Sequence, residues 1–253
     1  MRILITNDDG IHAPGLAACE KIARAISDDV WIVAPETDQS GVSHSLSLND
    51  PLRLREISER HYAVKGTPTD CVIMGVRHIM KETPHLILSG VNRGRNAAED
   101  VIYSGTVAAA MEGTVLGVPS FALSQAYAFT TKHLPLWQTA IKHAPDIIRK
   151  VLKEGMPKDV LVNINFPDCA PDEVKGIAVA VQGKRDQELL RIEPRHDGRG
   201  NPYYWIAFER GGHLGAHEGS DLSALNEKKI SVTPLRLDLT DEPFMTRLAE
   251  LLG

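Results

Sequence analysis

The sequence predicts an α/β fold: a Rossmann-like, doubly wound, mostly parallel sheet, with a C-terminal β-hairpin and helix as an extension. Three observations predict it. Short apolar and β-branched runs alternate with segments at helical spacing through the first two thirds of the chain. The 253 residues, 43% of them hydrophobic, suffice for one large core. Beyond Lys175 the pattern changes to strand-like pieces separated by polar, Gly-rich stretches. We therefore expect a single domain over residues 1–253, with 1–170 as the core that carries the site and 175–253 as an extension.

The elements follow in order. Arg2–Thr6 reads as a buried strand. Pro14–Ile26 reads as a helix, with Leu16, Cys19, Ile22, Ala23 and Ile26 on one face and Pro14 suited to its first turn. Val30–Ala34 is a second buried strand, closed by Pro35. Ser45–Leu48 and His61–Val64 read as shorter extended pieces, and Pro68–Met80 as a helix. His85–Ser89 is a third apolar strand. The Ala- and Gly-rich run Ser104–Leu116 predicts a closely packed helix, followed by a strand at Pro119–Ser124. Leu134–Leu152 is a long amphipathic helix with Pro145 as a kink or break, and Leu161–Phe166 a further strand. In the extension, Gly176–Gln182 and Pro202–Glu209 read as strands of an antiparallel arm. Lys229–Leu235 is one more strand, and Glu242–Leu252 a closing helix.

Composition excludes several classes. A net charge of −5 offers no basic field for a nucleic-acid polymer. Cys19, Cys71 and Cys169 are scattered and form no CxxC pair, which argues against a disulfide framework or thiolate zinc site and fits a reducing cytoplasm. The first strand begins at Arg2, which leaves no room for a leader, and no apolar run approaches the roughly 20 residues that span a bilayer. The expectation is a cytoplasmic protein with no membrane partner.

Ligands of open α/β sheets bind outside the carboxyl ends of the strands. The polar residues there are Asn7, Asp8 and Asp9 after the first strand, Ser40 after the second, and Asn92 and Asn96 after the third. Adjacent carboxylates repel and gain nothing from burial, so a positive partner is expected beside Asp8 and Asp9. Two carboxylates with neutral oxygens suit a hard divalent cation, Mg²⁺ or Mn²⁺, better than zinc. Next along the chain, Ser104-Gly105-Thr106 opens a helix. Its free N–H groups and dipole favour an anion, and the two hydroxyls add donors. A cation beside an anion pocket points to phosphate-ester hydrolysis.

At these residues the sequence resembles the SurE family. The matching stretches are ILITNDDGIHAPG, VAPETDQSGVSHS, KGTPTDCV, LILSGVNRGRN and YSGTVAAAMEG, with SDLSALNEKKISVTPLRLDLT more loosely alike. The resemblance implies a metal-dependent phosphatase of nucleoside 5′- and 3′-monophosphates, with short polyphosphate as a further substrate. It implies one divalent ion per subunit held by Asp8, Asp9, Ser40 and Asn92, and a phosphate site at Asn96, Ser104, Gly105 and Thr106. It also implies pairing of subunits through C-terminal extensions into dimers or tetramers. Glu227-Lys228-Lys229 departs from the glycine-aromatic turn that the family often carries before its final strand. In the implied mechanism, Asp8 or Asp9 also accepts the proton of the attacking water.

Rival functions meet specific obstacles. A signalling receiver needs an acceptor Asp after the third strand, where Asn92 stands. A phosphatase with a covalent Asp nucleophile wants a second Asp two residues after Asp8, and Gly10 occupies that position. A non-catalytic nucleotide-binding module lacks the GxGxxG turn after the first strand.

Overall fold

The computed structural model describes residues 1–127, 134–184, 190–208 and 217–253. Among the described residues, eleven strands and seven α-helices follow one another. The first half runs β1 (Ile3–Thr6), α1 (Pro14–Arg24), β2 (Val30–Pro35), β3 (Arg53–Ser58), β4 (His61–Lys65), α2 (Pro68–Met74) and β5 (Leu86–Arg93). Then come α3 (Asp100–Tyr103), α4 (Gly105–Val115), β6 (Ser120–Gln125), α5 (Trp137–Glu154), β7 (Val160–Phe166) and β8 (Ile177–Val179). The chain closes with β9 (Leu190–His196), β10 (Pro202–Phe208), α6 (Asp221–Asn226), β11 (Ile230–Arg236) and α7 (Glu242–Leu252).

Nine strands form one sheet in the order β3-β4-β2-β1-β5-β6-β7-β11-β8. Its centre is parallel, and only β3 against β4 and β11 against β7 run antiparallel. Successive side chains of a strand face opposite ways, and here both faces are covered. Ile3 and Ile5 join Leu16, Cys19, Ile22, Ala144 and Ile148 in one core layer, under α1 and α5. Leu4 joins Val33, Val64, Cys71, Val72, Ile87 and Ala109 in the other, under α2 and α4. This is why β1 reads as a continuous apolar run rather than an alternating one. Contact is tightest where glycine permits it: a Cβ on Gly15 of α1 would lie 1.9 Å from the Val91 carbonyl oxygen of β5.

The doubly wound class and most core elements agree with the sequence reading. Ser45–Leu48 is not a strand. It lies in the loop after β2, with Leu46 and Leu48 exposed, and is docked by hydrogen bonds from the Thr67 hydroxyl to the Ser45 carbonyl and from the Ser47 N–H to Asp70. The strand there is β3, whose six residues are all exposed. It forms by pairing to β4, and its charged side chains, typical of a sheet edge, hide it from an apolar pattern. The predicted helix Pro68–Met80 is α only to Met74 and continues as a π-turn over Gly75–Ile79, where Gly75 lies against the Leu4 side chain. The helix α5 continues through Pro145, which is buried within it.

The arm is also assembled differently. The segment at Gly176–Gln182 does not pair with Pro202–Glu209: β8 joins the main sheet parallel to β11, and β10 pairs antiparallel with β9. Pro194 and the charges of β9 mask it as a strand. The turn between β9 and β10 is closed by Asp197, which accepts from the N–H groups of Arg199 and Asn201. Glu209 lies outside the described residues.

Candidate functional site

The strand order sets where a site can form. From β1 the chain proceeds to β2 on one side and later returns to β5 on the other, so the switch point lies between β1 and β5. Asp8 and Asp9 follow β1, and Asn92 is the penultimate residue of β5. The turn after β1 is closed by Asn7, whose amide donates to the Gly10 carbonyl at 2.9 Å. Gly10 takes φ +99° and lies against the Thr37 backbone, where a Cβ would come within 3.2 Å, so the loop after β2 is held alongside. The Gln39 N–H then donates to the Asp8 carbonyl at 2.8 Å.

Asp8 is buried, and its Oδ1 accepts from the Thr106 hydroxyl at 2.5 Å. Gly105 makes this approach possible, since a Cβ there would lie 2.9 Å from the Asp8 Cβ and 3.1 Å from Pro68. Thus the N-terminus of α4 abuts the first carboxylate. Asp9 is half-buried, and its Oδ2 accepts from the Arg93 N–H at 3.1 Å, which ties it to the end of β5. Burial, reinforced by the neighbouring Asp9 charge and opposed by the Thr106 hydrogen bond, pushes the Asp8 carboxyl up to about 7. Burial also raises Asp9, against the Arg93 N–H bond that favours its charge. Among the described residues, neither carboxylate is in a salt bridge.

The neutral ligand candidates are held by their other atoms. The Ser40 hydroxyl donates to Asp38 at 2.6 Å and its N–H to the same oxygen at 2.8 Å, leaving the Ser40 oxygen lone pairs as acceptors. Asn92 commits its amide nitrogen to the Gly94 carbonyl at 3.1 Å, leaving Oδ1. Ser104 caps α4 by accepting from the Val107 N–H at 3.1 Å, so its own proton remains to be donated. Asn96 is placed from across the sheet: its N–H donates to Asn165 at 2.8 Å and its amide to the Ser124 hydroxyl at 2.9 Å. Its carbonyl accepts from both Asn163 and Asn165.

Direct contacts therefore join Asp8, Gly105 and Thr106, and join Asp9 to the residue after Asn92. Ser40 is brought near through Gln39, and Asn96 is anchored separately beside Ser124. Two adjacent, poorly solvated carboxylates, in no salt bridge among the described residues, together with the oxygens of Ser40 and Asn92, fit a hard divalent cation in donor type. Sequence reasoning missed Asp38, which orients Ser40. Its signal was the D-x-S turn pattern of Asp38-Gln39-Ser40. It also missed the clamp on that loop: His44 meets buried Glu112 of α4 at 3.0 Å, and Ser43 bonds the Ile102 and Tyr103 carbonyls. No local pattern announces contacts 59 or 68 residues apart.

Comparison with known proteins decides the family. The model of the family described as Survival protein SurE matches residues 3–189. The chain belongs to the SurE family. The "5'-nucleotidase SurE" of Rhodopseudomonas palustris (strain BisB5) is 67% identical over 255 residues, covering 100% of both chains. The protein of the same name from Azorhizobium caulinodans is 68% identical over 252 residues, covering 99% of this chain and 98% of its own. Among solved structures, the SurE protein from Aquifex aeolicus superimposes with a TM-score of 0.84 at 42% identity, over 100% of each chain. The resemblance noted in the motifs thus extends through the whole SurE chain, the extension included.

Proposed function

We propose that this SurE-family protein is a 5′-nucleotidase: a metal-dependent phosphomonoesterase that converts nucleoside monophosphates to nucleoside and phosphate. The names of its full-length relatives support the activity class. The observation that carries the chemistry is the contact between buried Asp8 and the N-terminus of α4 through Thr106. It joins a carboxylate pair suited to a cation with a helix terminus suited to a phosphate.

In this reading Asp8, Asp9, Ser40 and Asn92 would hold one Mg²⁺ or Mn²⁺ ion. When bound, that ion supplies Lewis-acid polarisation of the phosphoryl group and lowers the pKa of a water. The other steps belong to the protein. The Ser104 hydroxyl and the N–H groups opening α4, that of Thr106 among them, bind the phosphoryl oxygens and stabilise their charge during in-line attack, while the Thr106 hydroxyl stays on Asp8. Gly105 lets the backbone approach, and Asn96, anchored on Ser124 and Asn165, is assigned to the same phosphate site. Asp8 or Asp9 takes the proton from the attacking water. Nucleoside 3′-monophosphates and short polyphosphate fit the same phosphate-centred recognition and belong to the proposal.

The proposal includes a single domain, with residues 1–170 carrying the site and 175–253 pairing copies of the chain into a dimer or tetramer. Exposed Tyr204, Trp205 and Ile206 on β10 and Leu251 and Leu252 on α7 support that pairing. The net charge of −5 supports the absence of a nucleic-acid polymer among the partners, since it offers no basic field for one. Among the described residues, no helix is long and apolar enough to cross a membrane, and the scattered, unpaired cysteines support a cytoplasmic setting.

The test is phosphate release from a panel of 5′- and 3′-monophosphates, stripped with EDTA and then restored with Mn²⁺ or Mg²⁺. Metal-restored turnover that falls at least a hundredfold in Asp8→Asn and Asp9→Asn is expected. No release from folded wild-type protein with any metal would overturn the proposal.

A further inference from the structure

Asp221 is a fully buried carboxylate that the chemistry above does not use. It lies at the start of α6, far along the chain from the site. Its Oδ2 accepts from the Ala98 N–H at 2.9 Å. Its Oδ1 accepts from the Gly183 N–H at 2.9 Å and from the Leu222 N–H at 2.7 Å. Three segments thus meet on one side chain: the loop between β5 and α3, the stretch after β8, and α6 itself. Gly183 is shaped for this contact, since a Cβ there would come within 2.6 Å of the Asp221 carboxylate.

Ala98 is held twice. Its N–H goes to Asp221, and its carbonyl accepts from the Gln182 amide at 2.9 Å. Its φ is +54°, in the left-handed region that a residue with a Cβ enters only when its surroundings hold it there. Ala97 and Ala98 are also wholly buried, packed with Leu222 and Leu225 of α6. Ala98 sits midway along the connection from Asn92, on the metal side, to Ser104, on the phosphate side. Asn96 is two residues before it.

We infer that Asp221, with Gln182, is a positioning residue of the nucleotidase. From the C-terminal part of the chain, it holds Ala98 in the left-handed conformation that seats Asn96 and Ser104 around the phosphate. This rests on the phosphate-site assignment proposed above. A carboxylate suits the task because it accepts several N–H groups at once. An amide in its place offers one acceptor oxygen and turns an NH₂ toward an N–H. The extension that carries the arm thereby also completes the loop that faces the substrate.

The experiment compares wild type, Asp221→Asn, Gln182→Ala and Val232→Ala, the last a core-cavity control outside this contact. Each is assayed for kcat and KM on a nucleoside monophosphate, for affinity for inorganic phosphate, and for hydrogen exchange at the Ala98 amide. Expected for Asp221→Asn is a rise in KM and in the phosphate dissociation constant on the order of tenfold, with faster exchange at Ala98. Gln182→Ala should move the same quantities by less. Val232→Ala should lower the melting temperature while leaving KM near wild type. Unchanged KM and phosphate affinity in folded Asp221→Asn would overturn the inference. So would a KM shift of the same size in Val232→Ala. If wild type shows no turnover, the function proposal fails, and phosphate affinity with Ala98 exchange still decides the positioning role.

Discussion

Asp8 carries the main electrostatic tension of the molecule. Its carboxyl is pushed from 3.8 to about 7 by burial and by Asp9, so without a bound cation the folded state holds a proton that the unfolded chain releases. The sign follows from linkage. Between about pH 4 and pH 7 the native state binds more protons at this residue, so its contribution to stability is present at low pH and lost as pH rises through 7. At 1.36 kcal/mol per unit, the shift corresponds to a few kcal/mol, about 4 at most. Carboxylates such as exposed Asp197 and half-buried Glu193, held below their ordinary range by hydrogen bonds, contribute with the opposite sign at lower pH. The measurement is therefore a difference. In EDTA, the melting temperature of wild type relative to Asp8→Asn should fall as pH is raised from 5 to 8, and added Mn²⁺ should recover more of it at pH 8 than at pH 5. A pH-independent difference would remove the raised carboxyl from the account.

Among the elements, α4 couples fold and site. Its N-terminus is capped by Ser104, its Gly105 touches Asp8, and its Glu112 holds the Ser40 loop through His44. A methyl at Gly105 would meet the Asp8 Cβ at 2.9 Å, which is closer than real side-chain carbons pack. Either α4 or the Asp8 turn must then shift. Gly105→Ala should therefore cost on the order of a hundredfold in kcat/KM while destabilising the fold by only about 1–3 kcal/mol. Steady-state kinetics beside a denaturant titration would separate the two effects. The apolar runs and helical spacings that mark α4, β1, β2 and β5 are legible in the sequence because their burial is wholesale. By contrast, β3 and β9 are not legible. Their side chains are charged or interrupted by Pro194, and they become strands only through a partner across the ladder.

At the scale of the whole molecule, the described arm is underpacked against its own chain. Tyr203 and Trp205 stack edge to face on a hairpin where Ile192, Tyr203, Tyr204, Trp205 and Ile206 are exposed, and α7 buries none of its residues. Such surfaces are covered by another copy in the proposed dimer or tetramer. Replacing Trp205 and Ile206 together by Glu should lower the oligomeric state measured by light scattering, with the central sheet intact by circular dichroism. An unchanged mass would place the contact elsewhere.

Sequence alone determined the fold class, and it supplied the residues to suspect and the metal- and phosphate-type chemistry proposed for them. Each of these rests on local signals: apolar runs, helix starts, and acids or hydroxyls placed just past strand ends. Tertiary structure decided which of those residues touch. It bonded Thr106 to Asp8 across 98 residues and Arg93 to Asp9 across 84. It also brought Asp221 to Ala98 across 123 residues, and it moved β8 from the arm into the main sheet. Such contacts depend on the order in which strands lie side by side. That order is set by the burial of both sheet faces together, which no short stretch of sequence encodes.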